Sequence, residues 1–194
     1  MTDPTPPAPA GEPISHRTLR CGPVDLHVAE CGPAGAPAVV LLHGWPQTGA
    51  IWAAVAQRLP GYRLVMPDLR GLGASSVPEG PYDKLTIAGD IATLVTDVLE
   101  LPEAVLVGHD WGGVVAFYTA WLLGARARGL AVVDVTIPND LGAGPDISQG
   151  GARWHHAFHR TALAEQLVRE GVDVRGVKTC LLYTSDAADE RSSV

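Results

Sequence analysis

The stretch that most constrains this chain is residues 105–113, Val-Leu-Val-Gly-His-Asp-Trp-Gly-Gly. An apolar run enters Gly108, Asp110 stands midway between Gly108 and Gly112, and helical spacing follows. That is a strand, a sharp turn and a helix in immediate succession. Small residues must flank such a turn, and Gly108-His109-Asp110-Trp111-Gly112 fits the G-x-Nuc-x-G pattern of a nucleophile elbow. Ser usually holds the middle position; here it is Asp.

The elbow predicts a parallel sheet with helices packed on it, and the rest of the chain agrees. Segments rich in β-branched residues alternate with helical patterns, as expected of an α/β fold. Two early strands are predicted over 17–30, joined at Gly22-Pro23, then a buried strand over 38–43 and a helix over 49–59. Another strand is predicted over 62–66. Apolar residues at Leu85, Ile87, Ala88, Ile91, Leu94, Val95 and Val98 predict a helix over 85–99 with one buried face. The elbow strand falls at 104–107, its helix at 112–123 and a further strand at 130–135. After Pro138 a Gly-, Pro- and Asp-rich stretch reads as a linker, and helical spacing resumes from Arg153.

Four divisions follow: a Pro-rich lead over 1–13, a core over 14–138, a linker and the start of a helical cap over 139–179, and a tail over 180–194. The tail closely resembles the translation of a common transposon-derived sequencing adaptor, so it is set aside as non-native.

Composition limits the function. With 14 Lys+Arg against 21 Asp+Glu the formal charge is −7, which disfavours nucleic acid and anionic membrane as partners. No apolar run approaches the ~20 residues of a transmembrane helix. The lead lacks the basic and apolar regions of a signal peptide. Three cysteines without metal-like spacing suit a reducing compartment, so a cytoplasmic location is expected, with no metal and no cofactor.

Chemistry enters through three segments. A carboxylate that attacks carbon by displacement leaves an alkyl ester, so Asp110 points to opening an epoxide or displacing a halide. The segment His43-Gly44-Trp45-Pro46 lies at the end of a buried strand. The turn Asp68-Leu69-Arg70-Gly71-Leu72-Gly73-Ala74-Ser75-Ser76 contains G-x-G but lacks the third glycine of a dinucleotide fingerprint, so a structural turn beside the elbow is expected.

Together these motifs resemble the α/β-hydrolase fold family in its epoxide hydrolase and dehalogenase branch, over roughly residues 16–175. The resemblance implies a mostly parallel sheet with helices on both faces, here incomplete, lacking the last strands and most of the cap. It implies that the backbone N–H groups of Trp45 and Trp111 form an oxyanion hole, where loss of one donor costs roughly 2.7–4 kcal/mol of barrier. It implies Asp134 as the acid that orients the base His, and His155 as the group facing the nucleophile from the cap. The base itself is expected after the last strand, and no suitable His follows the cap here.

Departures from the acid-specific relatives guide the choice of substrate. Trp111 and Val114 stand where haloacid dehalogenases carry Arg, His156 stands where a halide cradle favours Trp, and Trp45 stands where haloalkane dehalogenases carry Asn. A small neutral apolar epoxide, with water as co-substrate, is the expected partner. The alternatives are a dehalogenase and a non-catalytic binding protein on the same fold. This chain is expected to attack once and then hold the ester.

Overall fold

The structure, a computed structural model, describes residues 13–135. The chain separates after Pro138 into two units, and all described residues belong to the first. Six strands form one sheet in the order β1-β2-β4-β3-β5-β6. They are β1 (Ser15–Cys21), β2 (Val24–Cys31), β3 (Ala38–Leu42), β4 (Arg63–Pro67), β5 (Ala104–His109) and β6 (Ala127–Val133). The β1–β2 and β2–β4 pairs are antiparallel, and β4, β3, β5 and β6 run parallel.

Residue type explains the layering. All five residues of β3, Ala-Val-Val-Leu-Leu, are buried. Side chains alternate across a strand, so Ala38, Val40 and Leu42 face one core while Val39 and Leu41 face another. The first core packs under α2 (Lys84–Thr93) and α3 (Trp111–Leu123). Ile87, Ala88, Ile91 and Leu94 of the α2 segment and Val115, Ala116 and Leu123 of α3 fill it. The second packs under a 3-10 turn, Gly49–Trp52, and the single-turn α1 (Ala53–Ala56), through Trp52 and Ala56. Helices therefore cover both faces. Each fully buried Val or Leu contributes roughly 1.5–3 kcal/mol.

Two helices and β6 differ from expectation for local reasons. The helix predicted over 49–59 is split into the 3-10 turn and α1, with Thr48 capping the start. The helix predicted over 85–99 starts at Lys84, because the Asp83 side chain accepts from the N–H groups of Leu85 and Thr86. It continues as a π-helical turn, Leu94–Val98, where Leu99 N–H donates to Leu94 O at 2.9 Å. Strand β6 begins at Ala127, before its apolar run, because pairing with β5 carries it across Arg128 and Gly129 with a bulge at Ala104/Val105. It also ends at Val133, so Asp134 lies just beyond the strand.

The connections fix where a site can form. From β3 the chain crosses to β4 on one side, then returns to β5 on the other. Ligands of open parallel sheets bind beyond the carboxyl ends of the strands where the order reverses in this way. Leu42 pairs with Gly108 in that register, so the loops after β3 and β5 emerge side by side. Among the described residues no helix is long and apolar enough to cross a membrane.

Candidate active site

Asp110 occupies φ +51° and ψ −126°, a conformation that non-glycine residues rarely adopt. Such strain costs on the order of 1–3 kcal/mol and persists only where the surroundings enforce it. Here the backbone enforces it directly. Asp110 N–H donates to Val133 O at 3.1 Å, and Gly113 N–H donates to Asp110 O at 2.9 Å. A Cβ on Gly108 would lie 2.1 Å from Gly112 O, and a Cβ on Gly112 would lie 2.3 Å from Leu42 O. Both glycines of the elbow are thus required by close backbone approach.

The β3 loop meets the elbow at the carboxylate. Trp45 N–H donates to Asp110 Oδ1 at 2.9 Å. Gly44 allows this contact, since a Cβ there would stand 2.6 Å from Asp110 Cβ. Gln47 accepts at Oε1 from Gly44 N–H at 3.2 Å and lies 3.1 Å from His109 Nδ1. The Trp45 and Trp111 rings face each other at 6.0 Å, tilted by 34°. The Asp110 side chain makes no cap hydrogen bond to α3, so the Trp111 N–H does not hold the carboxylate in this state.

His43, which opens the His43-Gly44-Trp45-Pro46 segment, uses both ring nitrogens on the backbone. It is fully buried, and Leu69 N–H donates to its Nε2 at 2.9 Å. Nδ1 therefore carries the proton and donates to Gly44 O at 2.8 Å. Burial lowers its proton affinity, against the pull of the Gly44 carbonyl and Asp68. A neutral ring thus ties the β3 loop to the loop after β4.

That second loop is a structural turn, and it also lines the cavity. Burial raises the Asp68 pKa, but the N–H groups of Ala74 and Gly49 and the His27 ring outweigh it and hold the carboxyl below its usual range. Gly73, at φ +58°, leaves room for Asp68, whose Oδ2 would be 2.1 Å from a Cβ there. Arg70 is 4% exposed and forks onto Asp90, with Nε and Nη2 each 2.5 Å from a carboxylate oxygen. The cavity of about 190 Å³ is bounded by Gly44, Trp45, Leu69, Tyr82, Lys84 and Trp111, among others.

Of the residues singled out in sequence, Trp45, Asp110 and Trp111 come together. Asp134, at φ +50°, directly follows Val133, whose carbonyl receives the elbow N–H. It is exposed. His155 lies outside the described residues. Lys84, which the sequence argument passed over, lies in the cavity with its Nζ 3.2 Å from the Trp111 ring centroid. Among the described residues no group of three or more His, Cys, Asp or Glu is placed to hold a metal.

The sequence model of the family described as alpha/beta hydrolase fold matches residues 37–187. The chain belongs to the α/β-hydrolase fold family. Within this family it is similar to a soluble epoxide hydrolase of a Corynebacterium species, 39% identical over 132 residues, spanning 68% of this chain and 45% of that protein. It is also similar to epoxide hydrolase A of Mycobacterium tuberculosis, 38% identical over 125 residues, spanning 62% of this chain and 38% of that one. Among solved structures, Cfl2 from Burkholderia cenocepacia superimposes with a TM-score of 0.67 at 33% identity, over 86% of this chain and 57% of that one. An epoxide hydrolase from Vigna radiata gives 0.60 at 34% identity, over 68% and 44%. This α/β hydrolase spans less than half the length of the curated relatives it matches.

Proposed function

We propose that this site opens an epoxide to a diol through an ester on Asp110. The observation that carries the reading is the 2.9 Å hydrogen bond from Trp45 N–H to Asp110 Oδ1. It leaves Oδ2 as the attacking oxygen and seats Oδ1 where an ester carbonyl oxygen will be. Oδ2 forms a bond to a ring carbon, the ring C–O bond breaks, and its electron pair goes to the substrate oxygen, which takes a proton from solvent. Water then adds to Cγ, giving up a proton to the base, and negative charge develops on Oδ1, facing the donor already in place. Collapse releases the diol and restores the carboxylate.

The family resemblance supplies the remaining roles in this reading. Trp111 N–H is the second donor to the oxyanion, Asp134 orients the base His, and His155 contacts the epoxide oxygen. The described histidines offer no base. His43 uses both ring nitrogens on the backbone, His27 donates to Asp68 and lies against His16, and His109 lies against Gln47. Hydrolysis of the ester therefore calls for a base outside the described residues. A small, neutral, apolar substrate suits the Trp45, Leu69, Leu72, Ile87 and Trp111 part of the cavity lining, and the Arg70 guanidinium on its wall is already engaged by Asp90.

The paired indoles of Trp45 and Trp111 beside Asp110 favour one second reading, displacement of a halide held between them. Intact-mass measurement after exposure to styrene oxide, a bromoalkane or bromoacetate separates the two. Addition of one whole styrene oxide supports epoxide opening. Alkylation by the bromoalkane alone would overturn it in favour of the halide reading.

A further inference from the structure

Lys84 stands where elementary electrostatics disfavours a cation. It is the first residue of α2 after its N-cap Asp83, at the positive end of the helix dipole. It is half-buried and lines the cavity. The ion pairs among the described residues do not include it. Its close partner is an aromatic face: Nζ lies 3.2 Å from the centroid of the Trp111 ring, well inside cation–π range. Trp111 is bonded to Asp110 in the chain and opens α3.

We propose that Lys84 is a positioning residue of this site: its ammonium, laid on the Trp111 indole, fixes the first turn of α3 and thereby the Asp110 carboxylate. This rests on the reading of Asp110 as the nucleophile. Trp45 N–H restrains one carboxylate oxygen and α3 offers no cap hydrogen bond, so the backbone around Trp111 sets the aim of the other. The clamp joins the start of α2 to the start of α3 at the point where strain at Asp110 must be held.

The groups facing Lys84 are Asp110 from the elbow, Arg70 and Tyr82 from the loop before α2, and Asp83 from its own cap. Arg70 is already held by Asp90. Burial pushes the Lys84 ammonium down to about 8, against the pull of Asp110 and Asp83. A neutral amine makes no cation–π contact, so the clamp releases as pH rises through about 8.

The test follows alkylation of Asp110 by styrene oxide in the 194-residue chain, read by peptide mapping from neutral pH to above 8. Tryptophan emission is followed over the same range, with Trp111→Phe to assign the signal. The wild-type rate should fall as pH passes about 8, with an emission change at the same midpoint. Lys84→Arg should keep the neutral-pH rate and lose both transitions. Lys84→Met should react about two- to thirty-fold more slowly, the span of a cation–π contact, and show neither transition. If Lys84→Met does not fold, the wild-type and Lys84→Arg series decide alone. Both transitions persisting in Lys84→Arg, or a wild-type rate in Lys84→Met, would overturn the clamp. An emission change that follows Lys84 while Asp110 stays unlabelled supports the clamp and removes Asp110 as nucleophile.

Discussion

The backbone N–H of Trp45 donates to Oδ1 of Asp110 at 2.9 Å, joining residues 65 positions apart. The contact exists because β3 and β5 are parallel neighbours whose ends coincide at Leu42 and Gly108. A sheet register has thus placed a donor on a carboxylate before any substrate arrives. Preorganised donors of this kind need no rearrangement when charge develops.

That register leaves no room at Gly112. A Cβ there would approach Leu42 O to 2.3 Å and His43 O to 2.5 Å, both backbone atoms. Gly112→Ala should destabilise the domain by about 1–3 kcal/mol, as overpacking does, and should slow alkylation of Asp110. Gly89→Ala is the control, because its Cβ would meet nothing within 4 Å. On α2 that change should be stabilising by about 0.5–1 kcal/mol. Urea unfolding midpoints of the two variants should move in opposite directions.

The Arg70–Asp90 pair fastens the loop after β4 to α2. Both side chains are almost fully buried, and Arg70 also donates to Pro81 O at 3.0 Å. Removing one partner strands the other charge in the interior, which costs about 3–5 kcal/mol. Asp90→Asn should therefore lower the unfolding free energy by that order, while the double variant Arg70→Met, Asp90→Leu should recover most of it. A double variant no more stable than Asp90→Asn would show that the pair holds the loop by geometry rather than by charge balance.

His43 gives the fold a pH dependence with a defined sign. Burial lowers its folded-state pKa, so as pH falls below roughly 6.5 the unfolded chain takes up a proton that the folded chain does not. Stability must fall with falling pH through that window, by at most about 1.4 kcal/mol per unit from this one group, until the folded pKa is reached. Asp68, held below its usual range, adds a separate loss only below roughly pH 4. Urea unfolding between these limits should show a shallower slope in His43→Gln than in the wild type. Equal slopes would mean that the ring accepts a proton while folded.

The sequence made the elbow legible because its demands are local. An Asp between glycines at a strand end is visible in a few consecutive residues, and so is an all-apolar central strand such as β3. What escaped depends on distant partners. Lys84 reads as an ordinary charged residue at a helix start, and only the packing of α2 against α3 turns it onto Trp111. His43 lies in a recognised motif, yet its role comes from the Leu69 amide 26 residues away. The start of β6 was hidden because Arg128 and Gly129 interrupt the apolar pattern that pairing with β5 overrides. Asp134 falls inside the strand predicted over 130–135, but β6 stops one residue before it.

The most direct measurement is the mass of the chain after a single exposure to styrene oxide, with peptide mapping, in wild type and Asp110→Asn. Asn tolerates positive φ and keeps an oxygen to accept from Trp45, so the variant should fold while losing its nucleophile. The account predicts one added styrene oxide on the peptide containing Asp110 in the wild type and none there in the variant. Equal labelling of both chains, or labelling only elsewhere, would contradict it.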